Sequence, residues 1–199
     1  MTRFLFAVII SLMSMTATAK SIVVLGDSIS AGYGIDTALG WVTLLQQKLD
    51  EKAVGHIIHN ESISGDTTGG GLARIDHALT LHKPDVVIIE LGVNDSLRSF
   101  PPMLIKSNLA ELAHRAQRAG AKVLLLSMKI PPTPANATSM FYNIYPQLAK
   151  ELRVPYVPFI IGNDALSKDM MQADDLHPNA KGQPFIAEKV WPQLLPLLK

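Results

Sequence analysis

Ser28 ends a short apolar run, in the stretch Ser21-Ile22-Val23-Val24-Leu25-Gly26-Asp27-Ser28. A serine at such a strand-to-helix turn presents its hydroxyl above a sheet, with backbone N–H groups close by. Gly-Asp-Ser is equally ordinary turn chemistry, since all three residues favour turns. A serine hydroxyl is also a poor nucleophile until a base takes its proton. Asp174-Asp175-Leu176-His177-Pro178 supplies such a base, with a carboxylate three residues before an imidazole. That spacing lets Asp174 accept from one ring nitrogen while the other reaches outward, the orienting role that fixes a tautomer and stabilises an imidazolium. The bland alternative is a surface histidine beside a helix-capping aspartate. Asn94, in Gly92-Val93-Asn94-Asp95, offers an amide N–H₂ to a developing oxyanion, or else forms an Asn-Asp turn. Gly65, in Ser64-Gly65-Asp66, permits close backbone approach with its N–H free, as any loop glycine does.

The elements around these residues decide whether they meet. Short β-branched runs alternate with longer amphipathic stretches. Strands are expected at Ser21–Leu25, His56–Asn60, Asp85–Leu91, Lys122–Met128 and Val154–Val157, the last an edge strand because it contains Pro155. Helices are expected over Trp41–Lys52, Leu72–Leu81, Met103–Ala119 and Ser139–Leu152, with a proline-broken one over Asn179–Leu198. Gly69-Gly70-Gly71 lacks the Lys and Ser/Thr of a phosphate-binding loop and reads as a flexible lead into the second helix. Five strand–helix alternations predict right-handed crossovers and a mostly parallel five-stranded sheet in a three-layer α/β/α sandwich. Ligands of such sheets bind at the carboxyl ends of the strands. Ser28, Gly65 and Asn94 all fall at such ends.

The chain has 199 residues, 48% of them hydrophobic and 18% charged, with a formal net charge of +1. This suits one domain with a substantial core and gives no basic face, so no nucleic-acid partner is expected. Residues 1–19 read separately. Arg3, the apolar segment Phe4–Met15 and Ala17-Thr18-Ala19 form the pattern of a secretory signal peptide. Its apolar segment is shorter than the roughly 20 residues a membrane span needs. We therefore expect a cleaved leader over 1–19, a single domain over 20–199 beginning at Lys20, a periplasmic or secreted location, and no stable membrane anchor after cleavage. Without Arg3 the remainder carries 17 basic and 17 acidic residues. There is no cysteine, which excludes disulfides, thiolate metal sites and a cysteine nucleophile. His56 and His59 make a poor metal pair, and His77, His82 and His114 read as solvated positions. No metal and no cofactor are expected.

Gly26-Asp27-Ser28-Ile29-Ser30-Ala31-Gly32 resembles the first conserved block of the SGNH, or GDSL, hydrolases. Asn60-Glu61-Ser62-Ile63-Ser64-Gly65-Asp66-Thr67 resembles their glycine block, Gly92-Val93-Asn94-Asp95 their GxND block, and Asp174-Asp175-Leu176-His177-Pro178 their DxxHP block. All four stand in family order. Within the family the chain is most similar to small periplasmic multifunctional esterases with thioesterase, lysophospholipase and arylesterase activity. The resemblance implies a flavodoxin-like fold and an exported serine esterase or thioesterase. It implies Ser28 as nucleophile, His177 as general base and Asp174 as its orienting acid. The oxyanion hole would be the Ser28 and Gly65 N–H groups with the Asn94 side chain. The implied substrates are small acyl esters, acyl thioesters or lysophospholipids, and the implied state is a monomer. Val93 departs from a second glycine common in that subgroup and is expected to add an apolar wall near the acyl chain. Asp27 and Asp66 read as loop-holding groups. Two rivals stand beside this reading: an envelope-glycan O-deacetylase or acyltransferase, and a non-catalytic acyl- or anion-binding module of the same fold.

Overall fold

Three buried runs build the centre of the sheet. In the computed structural model of the protein, which describes residues 18–52, 55–128, 135–158, 160–161 and 166–199, strand β1 spans Ser21–Gly26, β3 Val86–Glu90 and β4 Lys122–Leu126. Ile22 to Leu25, Val86 to Ile89 and Val123 to Leu126 are all buried, as strands covered on both faces must be. Each such side chain contributes about 1.5–3 kcal/mol by leaving water. The edges are weaker: β2 is Ile57–Asn60 and only half-buried, and β5 is just Tyr156–Val157. Pro155, which has no N–H to give a ladder, accounts for the short β5.

All pairings are parallel, and the sheet order is β2-β1-β3-β4-β5. The chain leaves β1 for one edge, then crosses back to place β3 on the other side of β1. That reversal opens a crevice above the carboxyl ends of β1 and β3. Right-handed crossovers then send the helices to opposite faces. Helix α2 (Trp41–Asp50) packs with the C-terminal α7 (Gln183–Leu194), while α3 (Thr68–His82), α5 (Pro102–Arg118) and α6 (Ala135–Leu152) pack in a row. Helix α5 buries Ile105, Leu109, Leu112, Ala113 and Ala116, a 3–4 spacing that gives it one apolar stripe. Leu109→Ala would cost about 2–5 kcal/mol in this packing.

Two short helices were not expected from the sequence. α1 (Ser28–Ala31) follows β1, and α4 (Val93–Leu97) follows β3. Helix α3 also starts earlier than expected and includes Gly69, Gly70 and Gly71. Thr67 caps it by accepting from Gly70 N–H at 3.1 Å. Two of the glycines serve packing: a Cβ on Gly71 would stand 2.6 Å from Leu91, and one on Gly70 would collide with Asp66. Of the three prolines expected to bend or break the last helix, Pro184 sits in its first turn, Pro192 lies inside it without ending it, and Pro196 lies in the 3-10 turn Leu195–Leu198 that follows.

Candidate active site

Strand β1 must stop at Gly26. A Cβ there would lie 2.7 Å from the Ser30 side chain and 2.8 Å from Glu90 Oε2. Asp27 then caps α1, its Oδ1 accepting the Ile29 N–H at 3.0 Å, and Ser28 becomes the first helical residue. First-turn N–H groups have no intrahelical partner. Among the described residues no hydrogen bond uses the N–H of Ser28 or of Gly65.

His177 reaches Ser28 from a loop. Its Nε2 stands 2.9 Å from Ser28 Oγ, and its Nδ1 stands 2.6 Å from Asp174 Oδ2. Asp174 Oδ1 accepts the backbone N–H groups of Leu176 and His177, each at 3.0 Å. Burial pushes the Asp174 carboxyl up, but those N–H groups and the His177 ring outweigh it and hold it at about 2. An ionised carboxylate at Nδ1 places the ring proton there and leaves Nε2 to accept from the serine hydroxyl. Asp175, at φ 52°, takes the left-handed turn that bends the loop back. Gln172 fastens the loop from both ends, donating to Tyr33 O and Pro178 O while its N–H donates to His177 O. The Tyr33 ring lies against the imidazole, with centroids 4.6 Å apart.

Asn94 comes from α4, beside Ser28 across the β1–β3 crevice. Its Nδ2 donates to Asp27 Oδ2 at 3.0 Å, which spends one amide hydrogen and leaves the other. Gly65 sits at φ 81°, a left-handed turn that favours glycine, and its carbonyl accepts from Arg98 at 2.9 Å. The structure therefore brings Ser28, His177 and Asp174 into one hydrogen-bonded chain, with Asn94 tied to the residue before Ser28.

Several supporting residues went unnoticed in the sequence. Arg74 donates to Gly26 O, Glu61 O and the Asp66 carboxylate, so one guanidinium holds the turn before Ser28 and the Gly65 loop together. Asp95 is fully buried, and its two oxygens accept from the N–H and hydroxyl of Thr68, joining α4 to α3. Glu90 is also fully buried, an acid ending an otherwise apolar strand. That break in the run Val86-Val87-Ile88-Ile89 was a signal available in the sequence.

Other expectations fare unevenly. Val93 is buried and forms no open wall beside the site. Leu97, Phe100 and Pro101, apolar residues shortly after Asn94 in the chain, are exposed. His82 is not simply solvated: it stacks on His59 with centroids 3.9 Å apart and meets Glu61 at 2.6 Å. Among the described residues no group of three His, Asp or Glu side chains is placed to hold a metal ion.

Known proteins carry the same plan. The family described as GDSL-like Lipase/Acylhydrolase matches residues 24–184. The chain belongs to that family. This GDSL-like hydrolase is 44% identical over 188 residues to "Esterase TesA" of Pseudomonas aeruginosa, covering 94% of each chain. It is 39% identical over 196 residues to "Thioesterase 1/protease 1/lysophospholipase L1" of Escherichia coli K12, covering 98% of this chain and 92% of that one. The crystal structure of a psychrotrophic esterase, EstA from a Pseudoalteromonas species, inhibited by monoethylphosphonate, superposes with a TM-score of 0.84. It is 38% identical, over 90% of this chain and 98% of its own. The GDSL-like hydrolase is accordingly an ester-bond hydrolase of the serine esterase and thioesterase kind, with a three-layer α/β/α fold.

Proposed function

We propose that the protein is exported and hydrolyses small acyl esters, acyl thioesters and lysophospholipids through an acyl-enzyme on Ser28. In this reading residues 1–19 are a cleaved leader and 20–199 the mature domain, in the periplasm or beyond the cell. Lys20 is already bound into the fold in a way that suits a mature start: its Nζ pairs with Asp85 at 3.0 Å and its backbone nitrogen donates to His56 at 2.9 Å. Among the described residues no helix is long and apolar enough to cross a membrane.

The observation that carries the chemistry is the hydrogen-bonded chain Ser28–His177–Asp174. Ser28 Oγ attacks the carbonyl carbon as its proton passes to His177 Nε2, and Asp174 steadies the imidazolium. The tetrahedral oxyanion receives the N–H groups of Ser28 and Gly65 and the second amide hydrogen of Asn94. Such donors act strongly because they are fixed before charge develops. Collapse breaks the bond to the leaving alkoxide or thiolate, which takes the proton from His177. Water then repeats the attack on the acyl-enzyme and frees the acid. Every group comes from one chain, so a monomer suffices.

Treating the mature protein with a fluorophosphonate tests the nucleophile, and the phosphonate-inhibited relative makes the probe apt. A single adduct on Ser28, absent in His177→Ala, is expected. A folded, unlabelled Ser28 would overturn the assignment. Hydrolysis of p-nitrophenyl esters, acyl thioesters and lysophospholipids measured side by side ranks the substrates. In each case kcat/KM should fall on acidification, because a protonated His177 cannot accept from Ser28.

A further inference from the structure

Strand β3 ends on Glu90, paired in register with Gly26 and buried behind the turn that carries Ser28. Its Oε2 accepts the Asp27 N–H at 3.2 Å and the Ser30 hydroxyl at 2.5 Å. Its Oε1 is buried and meets no donor. The Asp27 carboxyl stands within hydrogen-bonding reach of the Glu90 carboxyl. A bond between two carboxyls needs one shared proton, since two carboxylates only accept. The proton belongs on the oxygen that has no donor of its own. Asp27 Oδ1 already accepts the Ile29 N–H, Asp27 Oδ2 accepts the Asn94 amide, and Glu90 Oε2 accepts from two donors. Glu90 Oε1 is the oxygen left.

The surroundings agree. Burial pushes the Glu90 carboxyl well up, and the neighbouring Asp27 charge pushes it further. The charged and titratable groups packed around the pair are Asp66 and Arg74 beside Gly26, Asp95 on α4, Tyr145 on α6 and His177 across the rim. None of Glu90's hydrogen-bond partners is a cation that would hold it ionised.

We infer that Glu90 is a positioning residue for the hydrolysis: as a neutral acid it donates to Asp27, which stays a carboxylate able to accept the Asn94 amide. The inference rests on the proposed role of Asn94 as oxyanion donor. With Asp27 accepting, Asn94 can present only N–H to the oxyanion. With a proton on Asp27 Oδ2, that oxygen becomes a donor, and the amide is free to turn its carbonyl away from the oxyanion-donating pose.

Glutamine tests this directly. It keeps an acceptor oxygen and puts an NH₂ group in place of the acid O–H, in nearly the same outline, and cannot ionise. In p-nitrophenyl butyrate hydrolysis by the mature protein, Glu90→Gln should keep kcat within about threefold of wild type, with the same acid limb. Glu90→Ala should lower kcat by about 10²-fold with little change in KM, as loss of an oxyanion donor does. Its activity should return as pH rises, because Asp27 without its donor must lose a proton before it can accept again. In an Asn94→Ala background the Glu90→Ala loss should nearly vanish, since coupled residues are not additive. A tenfold or larger drop in Glu90→Gln, at unchanged melting temperature, overturns the inference. So does full additivity with Asn94→Ala. If Glu90→Ala fails to fold, Glu90→Gln alone decides. Fluorophosphonate labelling separates the failures: an unlabelled wild-type Ser28 sinks the proposed chemistry, while a labelled Ser28 in an inactive Glu90→Gln protein sinks only the role of Glu90.

Discussion

Asp174 and Asp27 approach Ser28 from opposite sides and live in opposite surroundings. Asp174 lies in a loop with 42% of its side chain exposed, takes two backbone N–H groups and the imidazole, and is held at about 2. Asp27 is 1% exposed, and burial raises it from its ordinary 3.8 to about 6, against the opposing pull of the Ile29 N–H, the Glu90 carboxyl and His177. One residue type thus does two jobs. In the proposed mechanism the open aspartate, held low by its donors, orients a base. The enclosed one stays near the edge of ionisation and orients an amide. Water decides less than donors do at Asp174, and more than donors do at Asp27.

The sharpest way to break this contrast is Asp174→Asn. It keeps the loop outline but inverts the tautomer offered to Ser28, and should cost about 10⁴-fold in kcat with little change in melting temperature. If Asp27→Asn costs as much, the two sides are not doing different jobs. Asn94→Ala comes next, with a loss of about 10²–10³-fold in kcat and little change in KM, measured on the same ester. Thr68→Val is smaller in activity, less than about tenfold, because Thr68 touches the site only through Asp95. It leaves the buried Asp95 short of its hydroxyl donor, so denaturant unfolding should show a loss of about 1–3 kcal/mol.

This division also explains what the sequence revealed. The exposed side was legible. Asp174 and His177 stand three apart in one loop, so their geometry follows from local spacing, and β1, β3 and β4 announced themselves as apolar runs. The crevice between Ser28 and Asn94 followed from the parallel-sheet rhythm. The enclosed side was not legible, because its ties join residues about 30 to 70 positions apart, as Asn94 to Asp27 and Asp95 to Thr68 do. No local pattern encodes such a pairing. The early start of α3 was missed for a related reason. Three consecutive glycines oppose helix formation on propensity alone, and only the closeness of Asp66 and Leu91 shows why no larger side chain would fit at Gly70 and Gly71.

The finest test is the pH dependence of stability, where the two aspartates should act with opposite signs. Asp27 binds its proton more tightly folded than unfolded. Its contribution is therefore most favourable below its ordinary 3.8 and is lost as pH climbs to about 6. A shift of that size is worth about 3 kcal/mol, so Asp27→Asn should flatten the decline in unfolding free energy between about pH 4 and 6. Asp174 does the reverse. Its carboxyl is depressed, so its stabilisation is present above 3.8 and lost as pH falls toward 2. Its exposure to solvent screens that contribution, and Asp174→Asn should soften only the last part of the acid limb. Chemical unfolding of both variants from pH 2 to 7 reads the two slopes together. Slopes of the same sign would mean that the enclosed aspartate is held by its donors as firmly as the open one.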